Sequence, residues 1–297
     1  MRILITGATS NVSRAIIPSL RSAGHALVLH DIVPIPNTEP YHDLPAFQGD
    51  IQMGIALDRA ARGCDLVIHT PAWHGIHWSE KTEADFWRLN VDGTFWTFQA
   101  AVAEGIGRMV FLSSMAWHGH YDKYGFTKRI GEELCEYYRR RHAIRYVSVR
   151  PHDFTPWGAD YLNRYGARLL YGGVDRDDVM DCILAAVASL DTTLPEESEA
   201  EGIVVSAVRA NAFTSEQISD WEKDPIAACS RIFPGYEDLL AKYELRLSRK
   251  PELVDPGPGA QQIRYVPKRH FGTFLEDLRR LDNEIGPEGV AALRCPY

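Results

Sequence analysis

The chain has 297 residues, 45% of them hydrophobic and 24% charged, which is typical of an ordinary globular protein with an ample core. Its formal net charge of -8 argues against nucleic acid or a membrane surface as a partner, and no apolar run approaches the length of a membrane span. The five cysteines are far apart and form no CxxC pair, so we expect reduced thiols in a cytoplasmic protein, without a disulfide framework or thiolate zinc site.

Through the first half of the chain, short apolar runs alternate with amphipathic stretches of helical period. The runs at residues 3–5, 66–68 and 110–112 are apolar throughout, as expected for strands covered on both faces of a parallel sheet. This alternation predicts a Rossmann-type α/β fold, a doubly wound parallel sheet, with a small C-terminal substrate lobe.

The same pattern predicts how the chain is organised. Residues 1–175 are expected to form a nucleotide-binding domain, and residues 176–210 to add a helix and a strand that complete its sheet. Residues 211–297 are rich in helix formers and interrupted by prolines, so we expect a small, mainly helical substrate-binding lobe there.

A dinucleotide site is predicted directly after the first strand. Gly7 opens a turn into a helix whose first N–H groups are available to a diphosphate. Ser10 and Ser13 stand where a full fingerprint has its second and third glycines, so weaker cofactor binding is one possible consequence. Asp31 ends the second strand, where a carboxylate accepts ribose hydroxyls and repels a 2′-phosphate, which favours NAD over NADP. A purely structural turn and a solvated strand-end charge are the alternatives.

Tyr124 and Lys128 are one helical turn apart on the same face of a predicted helix. A phenol has a pKa of about 10, and a nearby cation favours the phenolate, which brings proton transfer within reach. Upstream, Ser113 and Ser114 end a strand at the carboxyl edge of the sheet, where a serine can hydrogen-bond a substrate oxygen. Taken alone, the Tyr-Lys pair would more often be two exposed helix residues; its place after Gly7 and Asp31 favours catalysis.

These motifs together resemble the extended short-chain dehydrogenase/reductase family, the NAD-dependent epimerase/dehydratase group. The resemblance covers most of residues 1–190 and includes Thr6-Gly7-Ala8, Asp31, Gly49-Asp50-Ile51, His69-Thr70-Pro71-Ala72, Asn90-Val91-Asp92-Gly93-Thr94, Ser113-Ser114, Tyr124 with Lys128, Arg150-Pro151 and the segment 173–179. It implies that Tyr124 is the catalytic acid/base and Lys128 the partner that lowers its pKa. Ser114 is implied to hydrogen-bond the substrate, and Asn90 to support the site from the preceding helix.

The resemblance also implies an NAD site and a homodimer formed by two long amphipathic helices. Asp50 has an alternative role as a helix N-cap. The residues expected at the cofactor are Gly7, Thr9, Ser10, Asn11, Val12, Asp31, Asp50, Ile51, Thr70, Pro71, Ala72, Tyr124, Lys128 and Pro151.

Three departures from the family pattern narrow the expected reaction. Ser114 and Tyr124 are unusually close, and Met115-Ala116 replaces the acidic pair that sugar-nucleotide dehydratases use, which argues against dehydration. The segment between Pro151 and Val174 is shorter than in nucleotide-sugar enzymes, so a smaller substrate is favoured.

Aromatic and imidazole side chains are dense near the predicted site, where indoles can stack on sugar rings. We expect Trp73, His74, His118, His152 and Trp157 to face the substrate. Metal binding is not predicted, because no carboxylate or cysteine completes either histidine pair at a familiar spacing.

The leading prediction is an NAD-dependent dehydrogenase that oxidises or forms an alcohol on a small sugar or sugar acid. An NAD-dependent sugar or nucleotide-sugar epimerase is the alternative within the family, since the same residues can oxidise and re-reduce one carbon. A dinucleotide-binding regulatory protein without catalytic activity is the alternative outside enzymology.

Overall fold

The computed structural model describes residues 1–117, 121–154, 160–192 and 201–295. The chain divides into two compact units. The first contains residues 1–150, 182–206 and 257–265, and the second contains residues 151–181, 207–256 and 266–297.

Nine strands are present in the described residues. They are β1 (Arg2–Thr6), β2 (Ala26–Asp31), β3 (Ala46–Gln48), β4 (Leu66–His69), β5 (Arg108–Leu112), β6 (Arg145–Pro151), β7 (Asp153–Phe154), β8 (Gly173–Val174) and β9 (Gly202–Ala207). Seven of them form one sheet in the order β3-β2-β1-β4-β5-β6-β9, and every pairing from β3 to β6 is parallel. The predicted doubly wound Rossmann-type fold is confirmed. β7 and β8 form a separate parallel pair.

The α-helices of the described residues follow in chain order. They are α1 (Asn11–Ser22), α2 (Leu57–Ala61), α3 (Glu83–Trp87), α4 (Gly93–Ala103), α5 (Lys123–His142), α6 (Arg176–Leu190), α7 (Pro225–Ile232), α8 (Glu237–Lys242), α9 (Pro258–Ile263) and α10 (Phe271–Ala292, kinked at Gly286). A π-helical stretch, Arg88–Asp92, joins α3 to α4.

The strands are buried on both faces, as their uninterrupted apolar sequences predict. Residues Ile3, Leu4 and Ile5 of β1 are at most 1% exposed. On one face of the sheet, residues of α2, α4 and α5 pack on the strands around Phe98, Phe111 and similar side chains. The carboxyl ends of β1, β2, β4 and β5 consequently meet at one edge of the sheet, where the predicted site residues lie.

The second unit is mainly helical and has its own core. Trp221 is fully buried there, and its indole N–H donates to the Leu247 carbonyl at 2.7 Å. Tyr165 and Leu169 belong to the same core as Phe274 of α10. Residues 151–181 therefore group with the second unit, which differs from the predicted boundary at residue 175, because their apolar side chains pack on C-terminal helices.

Candidate active site

The turn after β1 packs directly against the end of β4. Gly7 has a φ of +68°, and a Cβ there would lie 2.7 Å from Thr70 Oγ1 and 3.0 Å from Pro71 Cγ. The next helix, α1, is capped by Ser10, whose Oγ accepts from Ser13 N at 3.2 Å. The backbone N–H groups at the start of α1 are thus presented beside a turn that only glycine fits.

Three hydroxyls hold this turn together. Ser13 Oγ lies 2.9 Å from Ser10 Oγ and 3.0 Å from Thr70 Oγ1, and Ser10 Oγ lies 3.2 Å from Thr70 Oγ1. Ser13 is fully buried, so the side chain at the third glycine position of the fingerprint is accommodated with its hydroxyl bonded. The sequence placed Ser10, Ser13 and Thr70 at neighbouring strand ends but did not reveal that they bond each other.

Asp31 faces the same turn from the end of β2. Its Oδ2 accepts from the Thr9 N–H at 2.8 Å and the Thr9 hydroxyl at 2.9 Å, and its Oδ1 accepts from Val33 N at 3.2 Å. The carboxylate is 7% exposed. It is therefore fixed at the strand end that the sequence predicted for ribose recognition.

The other predicted cofactor residues lie at several strand ends. Asp50 caps the short helical turn 51–53 by accepting from Gln52 N at 2.9 Å, so its alternative N-cap role is present. Pro151 ends β6 and belongs to the second unit. Around the turn and after β4 lie Asn11, Val12, Pro71 and Ala72, and after β3 lies Ile51.

The helix α5, which carries Tyr124 and Lys128, begins beside β5. Asp122 caps it by accepting from Gly125 N at 2.6 Å, and Tyr124 and Lys128 follow on consecutive turns. Lys128 is buried, and its Nζ donates to the Leu112 carbonyl at 2.6 Å. Burial lowers the pKa of Lys128 to about 7.

The lowered phenol pKa that the Tyr-Lys spacing predicts is absent from this structure. Burial raises the pKa of Tyr124, and a hydrogen bond with the Ser114 side chain only partly opposes that rise. The physical reason is desolvation of the phenol, and the nearby Asp122 carboxylate raises its pKa further, while the Lys128 ammonium is directed at the Leu112 carbonyl.

Of the two serines after β5, Ser114 is the one beside the phenol. Its Oγ is a hydrogen-bond partner of Tyr124 and accepts from Ala116 N at 3.0 Å. The Ser113 hydroxyl is buried and has no partner among the described residues, while its N–H donates to Val149 O at 2.8 Å. Ser114 therefore stands where a serine could bind the same oxygen as Tyr124.

Asn90 joins the loop after β4 to α5. Its Oδ1 accepts from Trp73 N at 2.8 Å, and its Nδ2 donates to Trp73 O at 3.0 Å and to Thr127 Oγ1 at 2.9 Å. Both donors of the amide are used, so the side chain acts as a tether. Sequence reasoning missed Thr127, although its place between Tyr124 and Lys128 was a signal. Asn90 lies within the π-helical stretch.

Trp73 and His74 lie on the loop that Asn90 anchors. The His74 ring is solvent-exposed, with its centroid 6.4 Å from that of Tyr124 and 4.7 Å from that of His77. Desolvation by the surrounding protein, followed by the effects of His77 and Lys128, lowers the pKa of His74 to about 4. Lys81 Nζ lies 4.5 Å from the Trp73 ring centroid. His74 is thus brought beside Tyr124, and Trp73 lies next to it on the same loop.

No contact among the described residues places the other predicted substrate residues beside Tyr124. His152 belongs to the second unit, where its Nδ1 lies 3.3 Å from Gly172 O. His118 and Trp157 lie outside the described residues.

Within the described ranges, no group of three or more His, Cys, Asp or Glu residues is arranged to hold a metal ion. No helix in those ranges is long and apolar enough to cross a bilayer.

The arrangement fits a dinucleotide and proton transfer at one sheet edge. Gly7 leaves room for close backbone approach, the start of α1 can accept a diphosphate, and Asp31 is placed for a ribose. The phenol of Tyr124 and the hydroxyl of Ser114 can contact one substrate oxygen together.

Comparison with known proteins identifies related sequences and folds. The model of the NAD dependent epimerase/dehydratase family matches residues 3–165. L-arabinose 1-dehydrogenase (NAD(P)(+)) of Haloferax volcanii is 27% identical over 183 residues, which cover 50% of this chain and 65% of that protein. Uronate dehydrogenase of Pseudomonas putida is 25% identical over 198 residues, which cover 61% of this chain and 69% of that protein. Glucuronic acid dehydrogenase from Chromohalobacter salexigens shares the fold, with a TM-score of 0.64, 22% identity and coverage of 99% of this chain and 98% of its own.

Proposed function

Because the chain belongs to the NAD-dependent epimerase/dehydratase family, as its motifs suggested, we propose that it is an NAD-dependent oxidoreductase. Its substrate is a small polar molecule, such as a sugar or sugar acid, that carries the reacting hydroxyl. The observation that carries this proposal is the cluster of Tyr124, Ser114 and Lys128 at the carboxyl end of β5, beside a glycine turn and Asp31.

The turn after β1 would hold the cofactor. The Gly7 turn and the first N–H groups of α1 would bind the diphosphate, and Asp31 would bind the adenosine ribose and disfavour a 2′-phosphate. When bound, NAD supplies a site that accepts or donates a hydride. The arabinose dehydrogenase is named for both NAD and NADP, so comparing the affinities for the two cofactors tests the role of Asp31 directly.

Tyr124 would exchange the proton of the substrate hydroxyl. Ser114 would hydrogen-bond the same oxygen and hold it against the phenol. Lys128 would donate a hydrogen bond beneath the site, and Asn90 would hold the Trp73 loop against the helix that carries Tyr124. The raised pKa of Tyr124 means that proton abstraction improves as pH rises.

Trp73 and His74 would form the substrate wall nearest to Tyr124. A half-buried indole can still present one face to a sugar ring, and a neutral imidazole can donate a hydrogen bond to a sugar hydroxyl or accept one from it. His118, His152 and Trp157 remain proposed substrate residues on sequence grounds alone. Relatives named for arabinose and uronates support a small sugar or sugar acid.

The test is an incubation of the purified chain with NAD and a panel of aldoses, uronic acids and UDP-glucose. Net NADH formation with a free sugar or acid supports the dehydrogenase. Conversion of the UDP-sugar without net NADH would replace it with the epimerase, which the family name also covers. NAD binding in calorimetry without either reaction would instead favour the regulatory protein.

A homodimer and a cytoplasmic location complete the proposal. Several large apolar side chains are exposed along α3, α4 and α5, which is the surface the family resemblance implies for dimer formation. They are Trp87, Phe95, Trp96, Phe126 and Tyr137. Sedimentation of the wild type and of Trp96→Glu at micromolar concentration should show a dimer that the variant weakens, and a monomeric wild type would contradict it. The five cysteines lie in the described residues, where they are buried and form no disulfide, which is consistent with a reducing compartment.

A further inference from the structure

We propose that Ser10 donates a hydrogen bond to the cofactor diphosphate, and that Ser13 and Thr70 are positioning residues that hold its hydroxyl at the start of α1. The inference rests on the proposed NAD-binding function and gives it a chemical detail that the glycine fingerprint lacks. It also reverses the expectation that serines at two glycine positions weaken cofactor binding.

The three hydroxyls form a hydrogen-bonded cluster, in which Ser10 Oγ also lies 3.2 Å from Thr70 Oγ1. Ser10 Oγ donates to Ser13 Oγ at 2.9 Å, and Ser13 Oγ lies 3.0 Å from Thr70 Oγ1. Thr70 Oγ1 donates to the Thr6 carbonyl at 2.9 Å, with the Gly7 carbonyl at 3.2 Å. Because each hydroxyl has one proton, the Thr70 proton is committed to the backbone and the Ser13 proton to Thr70.

Only the Ser10 proton can be redirected to a ligand at low cost. If Ser10 turns its O–H to an anion, Ser13 loses a donor but keeps its own bond to Thr70. A hydroxyl with an unused lone pair is far less costly than a buried N–H or O–H without an acceptor. The proton of the cluster that a ligand can take is therefore that of Ser10.

The solvent exposure of the three side chains also points to Ser10 as the residue that can contact a ligand. Ser13 and Thr70 are 0% and 6% exposed, whereas Ser10 is half-buried at the mouth of the turn. Ser10 is also the N-cap of a twelve-residue helix, where the helix dipole favours negative charge. Its hydroxyl can add a charge-assisted hydrogen bond to those of the backbone N–H groups.

The competing explanation is that the two serines are defects that crowd the diphosphate. The packing of Ser13 argues against crowding, because its side chain is enclosed between α1 and the end of β4 with its hydroxyl bonded. Restoring glycine separates the two explanations by the sign of the change in affinity.

The experiment measures the Kd of the full chain for NAD, ADP and adenosine by calorimetry. The variants are Ser10→Gly, Ser13→Gly and both together, because glycine retains most of the N-cap preference at position 10. Thr82→Gly is the matched control, since Thr82 caps α3 through its hydroxyl in the same way, 3.2 Å from Asp85 N. Thermal unfolding of each variant reports any loss of folding.

We expect Ser10→Gly to raise the Kd for NAD and for ADP about tenfold, equivalent to about 1.4 kcal/mol, and to leave adenosine binding unchanged. Ser13→Gly should raise the Kd for NAD about threefold, because the Ser10 hydroxyl then loses the side chain that holds it, and Thr82→Gly should not change it. NAD binding by Ser10→Gly as tight as, or tighter than, that of the wild type would overturn the proposal, as would an equal loss for adenosine. A wild type that binds NAD but oxidises no sugar would refute the proposed oxidoreductase while leaving this inference intact.

Discussion

Replacing Asn90 with alanine should disconnect the substrate loop from α5. The amide makes three hydrogen bonds, to Trp73 N at 2.8 Å, to Trp73 O at 3.0 Å and to Thr127 Oγ1 at 2.9 Å. At about 1 kcal/mol for each neutral bond, their loss amounts to about 3 kcal/mol. Water can reach the half-buried Trp73 backbone and restore part of this, so we expect a loss of about 2 kcal/mol in the free energy of unfolding.

The expected kinetic effect is larger than the loss of stability alone explains. Without the tether, the loop that carries His74 and the turn that carries Tyr124 are no longer held in one geometry. Misplacement of about 1 Å at a catalytic group costs up to about a hundredfold, so kcat of Asn90→Ala should fall ten- to a hundredfold with a small change in NAD affinity.

A matched control is available in the second unit. Asn211 holds the Val254 backbone in the same way, accepting from its N–H at 3.1 Å and donating to its O at 2.8 Å, and it also accepts from Arg209 at 3.0 Å. Urea unfolding and steady-state kinetics of Asn90→Ala and Asn211→Ala give both quantities. The two variants could lose similar stability while Asn90→Ala keeps the kcat of the wild type. That result would contradict a role for Asn90 in holding the Trp73 loop against the helix that carries Tyr124.

Three further predictions concern burial and charge around the site. Because the pKa of Lys128 falls to about 7 in the fold from 10.5, the unfolded chain binds more protons between these pH values. The free energy of unfolding, measured in urea, should therefore rise from pH 7 to pH 9 in the wild type and rise less in Lys128→Met. Equal rises in the two proteins would contradict this prediction. His74→Ala should raise the KM for the substrate about tenfold without changing the NAD Kd in calorimetry, and an unchanged KM would remove His74 from the substrate wall. A Cβ at Gly131 would lie 2.4 Å from the Phe111 ring, so Gly131→Ala should lose about 2 kcal/mol, whereas Gly107→Ala, with open space, should not; thermal unfolding distinguishes them.

The sheet and α5 could be predicted because their signals are local. Uninterrupted apolar runs such as Ile3-Leu4-Ile5 identify strands buried on both faces, and the four-residue spacing of Tyr124 and Lys128 places both on one helix face. Asp31 follows such an apolar run, which is why it was predicted at a strand end. Each inference needs only the period of the element that carries the residue.

What could not be predicted depends on contacts between distant segments. The direction of Lys128 is set by the Leu112 carbonyl, and the pKa of both Lys128 and Tyr124 is set by the amount of protein packed around them. Asn90, which pairs with Trp73, lies in a π-helical turn that no sequence period indicates. The boundary near residue 150 follows from apolar packing of Tyr165 on α10, which is visible only in the folded chain.

The most direct test of Tyr124 as the general acid/base of an NAD-dependent oxidoreductase compares the rate of NADH formation by Tyr124→Phe with that of the wild type. The Kd for NAD is measured on both proteins. Phenylalanine removes the hydroxyl that hydrogen-bonds Ser114 and keeps the ring that packs near Phe86 and His74. We predict that Tyr124→Phe forms NADH at least about a hundredfold more slowly, which is the lower end of what a general acid/base contributes. Its NAD affinity should stay within about twofold of that of the wild type. NADH formation by Tyr124→Phe at the wild-type rate would contradict this role of Tyr124.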